Sequence, residues 1–562
     1  MPPGKATGVI EQIQDEDLAK ADLRKHEQLV SLRRNWEDTY QQIDERFPTG
    51  AGGFLAQTPG QIRGQRNTDS THVTANARFA AALRAITTPE QTEYILPRFL
   101  DPELNKLRSV KLWRENAGKR LQAIRHAPHT GFGISAHEDF DQLGRYGTSA
   151  VWQEPYPDGS GIFYRTLHLS SVWIDVNFAG LVDTVHRKWM ASASDLEEQF
   201  GREALSPKMI EALDHHDSDK ADAKDFEILH VVCPNTDWDR ERLDHRRFPI
   251  ASRFLVTGEK IYLRRRGYNT MPISVSRHMT SAMEVYGRSP AINQLPNING
   301  LNAMRTTTFR AAHKAVDPAL LFNRDMGVTK LVTKPGGLNP GLMGEDGRPM
   351  VARMPGGENG LPIALEMIQD ERSTIRVEFL EEFYSILTNP NSRMTTVEVY
   401  ERMAKEGVLV RPYADRYATE KQHVMTQRDL DMALRAMPRQ IPDFPPEVKE
   451  AGAWPVIDYE NPLAAMARAE SSGKTLRYVQ ALPVLADLDP NVRFRVDAEA
   501  IAVGLAEETG VPTKYIRSDE DVARLKGEEQ AAQSAALDGE LLKNIGSATK
   551  DFAQAGALQE GM

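Results

Sequence analysis

Two stretches with apolar residues three to four positions apart predict a pair of long helices in the middle of the chain. The first follows Pro296, whose missing N–H does least harm in a first turn, with Asn297 as its cap, and it ends at Asp317. The second runs from Ile363 to Leu387. Between them lies a segment rich in glycine and proline. The unit is therefore predicted to be helix, irregular excursion, helix.

Helices of this length extend roughly 30–38 Å at about 1.5 Å per residue, so the pair would form a long hairpin. One chain cannot easily cover both faces of such a hairpin. The pattern alone leaves two interpretations open. The hairpin is either a wall element that packs against copies of itself or an ordinary pair of helices inside one large core.

Upstream of the helix pair, polar and apolar residues alternate with a period of two, which predicts β-strands. Two such runs flank Pro155-Tyr-Pro-Asp-Gly-Ser-Gly161 and predict a β-hairpin. Strands are expected at residues 150–154, 162–167, 171–176, 184–190, 228–233, 252–257 and 260–264. Helices are expected at residues 10–45, at 75–118 with breaks at Pro89 and Pro97, and at 138–146, 192–200 and 206–214. Residues 30–285 are therefore predicted to form one mixed α+β domain.

The remainder of the chain is predicted to be mostly helical. Turn-forming residues at 388–393 interrupt the pattern, and Thr395 or Thr396 is expected to cap the helix that follows. A helical pattern resumes at residues 413–437, and the proline-rich stretch at 438–455 marks a boundary. Further helices are expected at residues 463–471, 475–485, 496–509 and 518–537.

Composition limits the class of protein. The 562 residues are enough for several domains, and their apolar and charged content is typical of a soluble globular protein. No apolar run is long enough for a transmembrane helix, and the N-terminus lacks the apolar core of a signal peptide. The single cysteine, Cys233, excludes an intrachain disulfide and fits a reducing compartment. The net charge of −10 argues against a protein that clamps DNA phosphates, but an acidic wall suits a conduit through which DNA must slide.

A series of motifs runs along the middle of the chain. The central motifs are Tyr286-Gly-Arg-Ser-Pro290, Leu295-Pro-Asn-Ile298 and Leu301-Asn302. Others on both sides are Leu169-Ser-Ser-Val-Trp-Ile-Asp-Val-Asn177, Gly180-Leu-Val-Asp-Thr-Val-His-Arg187, Glu197-Glu-Gln-Phe-Gly201 and Asn391-Ser-Arg-Met-Thr-Thr-Val-Glu398. Together these motifs resemble the portal, or head-to-tail connector, proteins of short-tailed bacteriophages (podovirus type). Their order and spacing are specific, and the resemblance covers residues 30–535.

The resemblance implies an α+β, mostly helical portal fold that assembles as a ring. Its implied parts are a wing at residues 1–285 with a flexible N-terminal tail, a stem helix at 286–314, a clip at 315–365, a second stem helix at 366–388, a tunnel loop and long wing helix at 389–437, a helical crown at 438–535, and a flexible C-terminal tail at 536–562. It further implies a structural protein of the virion, assembled in the bacterial host cytoplasm, that catalyses no reaction.

The implied function is to form the channel at one capsid vertex through which double-stranded DNA is packaged and ejected, and to join head to tail. The implied partners are further copies of the chain in a ring of twelve, the large terminase subunit, tail adaptor proteins, and the major capsid and scaffolding proteins. DNA would pass without sequence-specific contacts, and neither a membrane nor a cofactor is involved.

The candidate site residues follow from the same resemblance. Arg393 and Asn391 fall where the family places a loop that faces the tunnel, so Arg393 is expected to touch passing phosphates. Candidate channel cations on the stem helices are Arg305, Arg310, Lys314, Arg372 and Arg376. Some of them could instead pair with Glu371, Glu378 or Glu381 between subunits. Candidate docking residues of the clip for terminase or adaptor are Lys330, Lys334, Arg348 and Arg353.

Three other classes of protein remain as alternatives. A packaging ATPase or nuclease is disfavoured, because Ser472-Gly-Lys-Thr475 has Arg468 where a phosphate-binding loop needs glycine and the sequence has no acidic metal cluster. A DNA-binding module is disfavoured by the negative charge, and an internal ejection protein by the helix–tip–helix unit and the Tyr286 motif. Asp214-His-His-Asp-Ser-Asp219 is interpreted as a solvated loop rather than a metal site, and Ser135 as a structural serine.

Overall fold

The computed structural model describes most of the chain. The described residues are 15–47, 54, 67–90, 92–156, 158–214, 226–322, 331–344, 347–354, 361–381, 412–435, 440–459, 475, 478–482, 496–508, 511–518 and 520–534. They divide into two units: Met1–Leu96, Gly118–Ile441 and Ile457–Leu463 form unit 1, and Pro97–Ala117, Pro442–Val456 and Ala464–Met562 form unit 2. No helix among these ranges is long and apolar enough to cross a membrane.

The architecture is mixed α+β with mostly helical content. The helices are α1 (Glu16–Arg46), α2 (Thr71–Thr87), α3 (Pro102–Lys106), α4 (Arg108–Arg125), α5 (Phe132–Tyr146), α6 (Ala193–Phe200), α7 (Pro207–Asp214), α8 (Pro290–Val316), α9 (Leu361–Glu378), α10 (His423–Arg435), α11 (Pro446–Ala451) and α12 (Ala498–Glu508). The strands are β1 (Ile95–Arg98), β2 (Thr148–Pro155), β3 (Ile162–Leu167), β4 (Val172–Val176), β5 (Val182–Ala191), β6 (Phe226–Pro234), β7 (Ile250–Val256), β8 (Ile261–Tyr268), β9 (Ile273–Arg277), β10 (Leu320–Phe322), β11 (Val351–Arg353) and β12 (Val456–Tyr459).

Two antiparallel sheets form the β region of unit 1. A five-stranded meander has the order β4-β5-β6-β7-β8, and a three-stranded sheet has the order β3-β2-β9. The predicted hairpin is confirmed, because Ala150 pairs with Leu167 and Pro155 with Ile162 across the turn. The strands of the meander also match the predicted runs. Period-two alternation identified them because each sheet buries side chains against a core.

The main core of unit 1 lies where α1, α2 and α5 meet both sheets and the start of α8. Tyr40, Phe79, Phe140 and Tyr146 have no measurable exposure in it. A second core lies where α6 and α7 cover one face of the meander. Gly147, in the left-handed region at φ +73°, ends α5 as predicted. These elements place the two sheets and α5 directly beside the start of α8.

A π-helical turn anchors the helix that leads into α10. The chain is helical from residue 412, forms the π turn at Ala418–Gln422, and continues to Arg435. Three successive side chains of the turn contact three different elements of unit 1. Glu420 accepts from Arg277, Lys421 donates to Asp139, and Gln422 donates to the Thr87 carbonyl. The wider π turn changes the directions of these three side chains relative to a regular α-helix, and π turns are often found at functional positions.

The predicted breaks at Pro89 and Pro97 are confirmed, because α2 ends at Thr87 and Pro97 lies in β1, where its extended backbone is better tolerated than in a helix interior. Three other local predictions are wrong. The helix expected to end at Gly118 continues as α4 to Arg125. The helical spacing predicts that Leu32 belongs to the apolar stripe of α1, but it is 55% exposed. The run Lys330-Leu-Val-Thr333 predicts a strand, but none forms at residues 331–333, and β10 pairs with β11.

Candidate functional site

The Tyr286-Gly-Arg-Ser-Pro290 segment joins the β region to α8 by a close backbone crossing. A Cβ atom on Gly287 would lie 2.1 Å from the Gly147 carbonyl oxygen, and one on Gly147 would lie 2.5 Å from the Gly287 oxygen. The Gly287 N–H donates to the Thr148 hydroxyl at 2.8 Å. The Tyr286 hydroxyl accepts from the Ile174 N–H at 3.2 Å. Both positions therefore require glycine, because the two backbone segments cross with no room for a side chain.

Ser289 starts α8 immediately after this crossing. Its hydroxyl accepts from the Ile292 N–H at 2.9 Å and donates to the Arg145 carbonyl at 2.7 Å. Pro290 then occupies the first helical position, where its missing N–H removes no helical bond. The expected start at Pro296 with Asn297 as cap is therefore wrong, because Pro296 lies inside the helix. The Ser-Pro pair was the sequence signal that could have found the true start.

The two long helices α8 and α9, called here the helix pair, leave much of their surface open. The buried residues of α8 all precede position 303, and those of α9 are Ile368 and Ile375. The large apolar side chains exposed on the pair are Phe309, Val316, Ile363, Leu365, Met367 and Val377. The end of α8 at Asp317 matches the prediction. An exposed apolar surface of this extent favours the first of the two interpretations, a hairpin that packs against other molecules.

Asp69 is the centre of an ion cluster that fastens the helix pair to the loop before α2. Its buried carboxylate accepts from Arg305 at 2.9 Å and from Arg372 at 2.8 Å. Burial alone would raise the pKa of Asp69, but hydrogen bonds from Thr71 and both arginines outweigh it and hold the pKa well below its usual range. The side-chain oxygen of Asn302 accepts from the Thr68 and Asp69 N–H groups. Sequence analysis missed Asp69, since nothing local marks a carboxylate that meets partners so distant in the chain.

The candidate channel cations therefore fall into different environments. Arg305 and Arg372 are about three-quarters covered and neutralise Asp69 within the same chain. Arg376 is half-exposed and lies 3.8 Å from Glu381, also within the chain. Arg310 and Lys314 are exposed and form no ion pair with any described residue. Arg393 and Asn391 lie outside the described residues, so their role remains a prediction.

Three candidate docking residues, Lys330, Lys334 and Arg348, lie between β10 and β11 in the sequence, and Arg353 lies in β11. Lys334, Arg348 and Arg353 are all exposed, and Arg353 pairs with Leu320 in the strand register. Lys330 lies outside the described residues. The docking role of these residues remains a prediction.

The structure tests only some of the motifs that were interpreted as having no catalytic or metal-binding role. The Ser135 hydroxyl is hydrogen-bonded to the Thr166 hydroxyl at 2.7 Å, which fits a structural serine. No cluster of acidic, histidine or cysteine side chains suited to a metal occurs among the described residues. Residues 215–219 and 472–474 lie outside them, so those two interpretations remain predictions.

Comparison with known proteins identifies the family. The model of the bacteriophage head to tail connecting protein family matches residues 19–516. The chain belongs to this family. A probable portal protein of Bordetella phage BPP-1 is 24% identical to this connector over 530 residues, which are 91% of each chain. A chain from the virion of a native gene transfer agent particle is 12% identical at a TM-score of 0.33, and the match covers 79% of the connector and 89% of that chain. That structural similarity is too low to inform the fold.

Family membership decides the class of function. The connector is a phage portal, or head-to-tail connecting, protein and a structural component of the virion rather than an enzyme. The packaging ATPase, nuclease and separate DNA-binding module are thereby set aside. The matched range of 19–516 corresponds closely to the range over which the motifs resemble this family.

Proposed function

We propose that twelve copies of the connector form a ring at one capsid vertex, of the type found in short-tailed phages. The helix pair is the stem that lines the channel, and DNA enters and leaves through it. The observation that carries this proposal is the open apolar surface of α8 and α9, which a single chain leaves exposed to water. Neighbouring copies in a head-to-tail ring would cover that surface on both sides.

The lining of the channel follows from the charges of the helix pair. Arg310 and Lys314 are the better candidates for transient contact with DNA, because Arg305 and Arg372 are both held by Asp69. A lining with few free cations, on a chain with a net charge of −10, would let phosphates slide without sticking. The tunnel loop with Asn391 and Arg393 would supply a further ring of cations.

The remaining parts serve assembly. The clip at residues 315–365 would bind the large terminase subunit during packaging and tail adaptors afterwards, using its exposed lysines and arginines. The wing would contact the major capsid and scaffolding proteins. Residues 438–535 would form the crown.

Native mass spectrometry of the purified protein, with negative-stain averages, tests the ring. We expect an assembly of about a dozen copies, with a central hole of roughly 20 Å or more to admit a duplex. A monomer or dimer that also hydrolyses ATP would contradict the proposal. A chain that stays monomeric even with scaffolding protein present would also contradict it.

A charge reversal tests the tunnel loop. Arg393→Glu is expected to leave ring assembly intact and to impair DNA packaging or retention, because a ring of carboxylates would repel the phosphates. The matched control is Arg240→Glu, the same charge reversal at an exposed residue between β6 and β7, and it should leave packaging normal. Packaged genome length and infectivity are the measurements. A normal genome length and infectivity for Arg393→Glu would exclude a role in DNA contact.

A further inference from the structure

Arg187 of β5 is buried without an acceptor. Its side chain is 6% exposed, and its guanidinium carbon lies 5.1 Å from the Trp152 ring centroid and 4.3 Å from that of Trp189. It forms no ion pair or hydrogen bond with any residue that the structure describes, and its Nε atom is fully buried and unsatisfied. A buried cation that lacks a partner is costly, so proteins rarely retain one without a compensating anion.

Other buried arginines of unit 1 show what Arg187 lacks. Arg125 donates to Asp429 at 2.6 Å, and Arg253 donates to Asp22 at 2.6 Å. Arg428 lies over an aromatic ring as Arg187 does, but it also donates to the carbonyls of Gln153 and Thr270. Stacking on aromatic rings therefore accompanies an acceptor in Arg428 and stands alone in Arg187.

A second unsatisfied donor and a second positive charge lie near Arg187. The indole N–H of Trp152 is buried and also unsatisfied. Arg165 of β3 pairs directly with Trp152 in the strand register, and its side chain is exposed. Burial and the charge of Arg165 lower the pKa of Arg187 to about 9. A carboxylate nearby on β2, Glu154, is hydrogen-bonded to the Tyr268 hydroxyl at 2.6 Å. Arg187 thus has an unsatisfied donor, a second positive charge beside it and no described acceptor, and an anion with acceptor oxygens would offset both charges.

We infer that Arg187, Arg165 and Trp152 form a pocket that binds a carboxylate, supplied by an aspartate or glutamate side chain of a neighbouring copy in the ring. The inference rests on the proposed ring for the source of the carboxylate, but not for the pocket itself. The position borders the surface, because Arg165 is exposed and Trp189 is partly exposed. The planar guanidinium of Arg187 matches the two oxygens of a carboxylate.

Burial and charge favour a protein carboxylate over DNA. The phosphates of a duplex are attached to a wide, rigid rod, and they cannot approach a residue that is only 6% exposed as closely as a slender side chain can. Each copy of the chain carries 79 acidic residues against 69 lysines and arginines, so a neighbouring copy presents many carboxylates. A ring would therefore bring the missing acceptor without any other partner.

The pocket is tested on the full chain with sodium acetate as the probe and chloride at equal ionic strength as the reference. Acetate is expected to raise the melting temperature of the unassembled wild-type protein by about 1–2 °C at concentrations well above its dissociation constant. Arg187→Met, which keeps much of the volume and removes the charge, is expected to abolish that shift. In native mass spectrometry the same variant is expected to weaken ring formation at least about tenfold.

Arg253→Met is the matched control. It removes a buried arginine that has its own partner, so it should lower the melting temperature of the unassembled chain and keep the acetate response. Identical acetate responses in wild type and Arg187→Met would overturn the inference. Stabilisation by inorganic phosphate but not acetate, or a loss of duplex binding in the variant, would overturn the assignment to a carboxylate.

The experiments distinguish a failure of the proposed ring from a failure of the proposed pocket. If wild type and Arg187→Met assemble equally well, the proposed ring stands and the neighbouring copy is rejected as the source of the carboxylate. If no ring forms but the acetate response depends on Arg187, the pocket is supported and the proposed ring is contradicted.

Discussion

Gly287→Ala is expected to lower the free energy of unfolding by about 3 kcal/mol, at the upper end of what overpacking usually costs. The added methyl group would lie 2.1 Å from the Gly147 carbonyl oxygen, which is backbone and cannot rotate away. That carbonyl also accepts from the His278 N–H at 2.9 Å, so moving it would break a second contact. Chemical denaturation of the unassembled chain measures the effect.

Gly300→Ala is the control for this substitution. Gly300 lies in α8, the helix that follows the crossing, and a Cβ atom there would meet nothing within 4 Å. Alanine at a helix-interior position is expected to stabilise by up to about 1 kcal/mol, so the two variants should move in opposite directions. Equal stability of Gly287→Ala and wild type would show that the crossing relaxes at little cost.

Lys421→Met is expected to cost about 3–5 kcal/mol, because it leaves the carboxylate of Asp139 buried without its cation. Both side chains of this ion pair are essentially inaccessible. Burial lowers the pKa of Lys421, and the charge of Asp139 acts against that shift. Asp139 also accepts from the Ser149 hydroxyl at 2.5 Å and the Tyr417 hydroxyl at 3.2 Å, so the loss would disturb the whole anchor of the π turn.

Two further variants complete this experiment. Lys526→Met removes an exposed lysine that pairs with Glu499 at 3.0 Å, and it should change stability by less than about 1 kcal/mol. The double variant Lys421→Met with Asp139→Asn should be more stable than Lys421→Met alone, since it removes the orphaned charge. A small effect of Lys421→Met, similar to that of Lys526→Met, would mean that water reaches Asp139 in solution.

Local patterns in the sequence were sufficient for the hairpin, for the strands of the meander and for several helix ends. The alternation in residues 150–167 identified the hairpin because each strand buries one face. Gly147 and Asp317 marked where α5 and α8 end, because the end of a helix depends on the conformation of one or two residues. The order of the motifs from Leu169 to Glu398 was likewise a property of the sequence alone, and it identified the family.

Contacts between distant residues were decided by the tertiary structure. Only the fold brings Asp69 to Arg305 and Arg372, or sets Gly147 against Gly287, and no local pattern records such a meeting. The charge on an arginine is visible in the sequence, but whether a buried acid neutralises it depends on which elements pack together. Sequence therefore determined the elements and the family of this protein. The tertiary structure decided which of its charges are already paired, because an ion pair depends on which residues lie close together in space and not on their order along the chain.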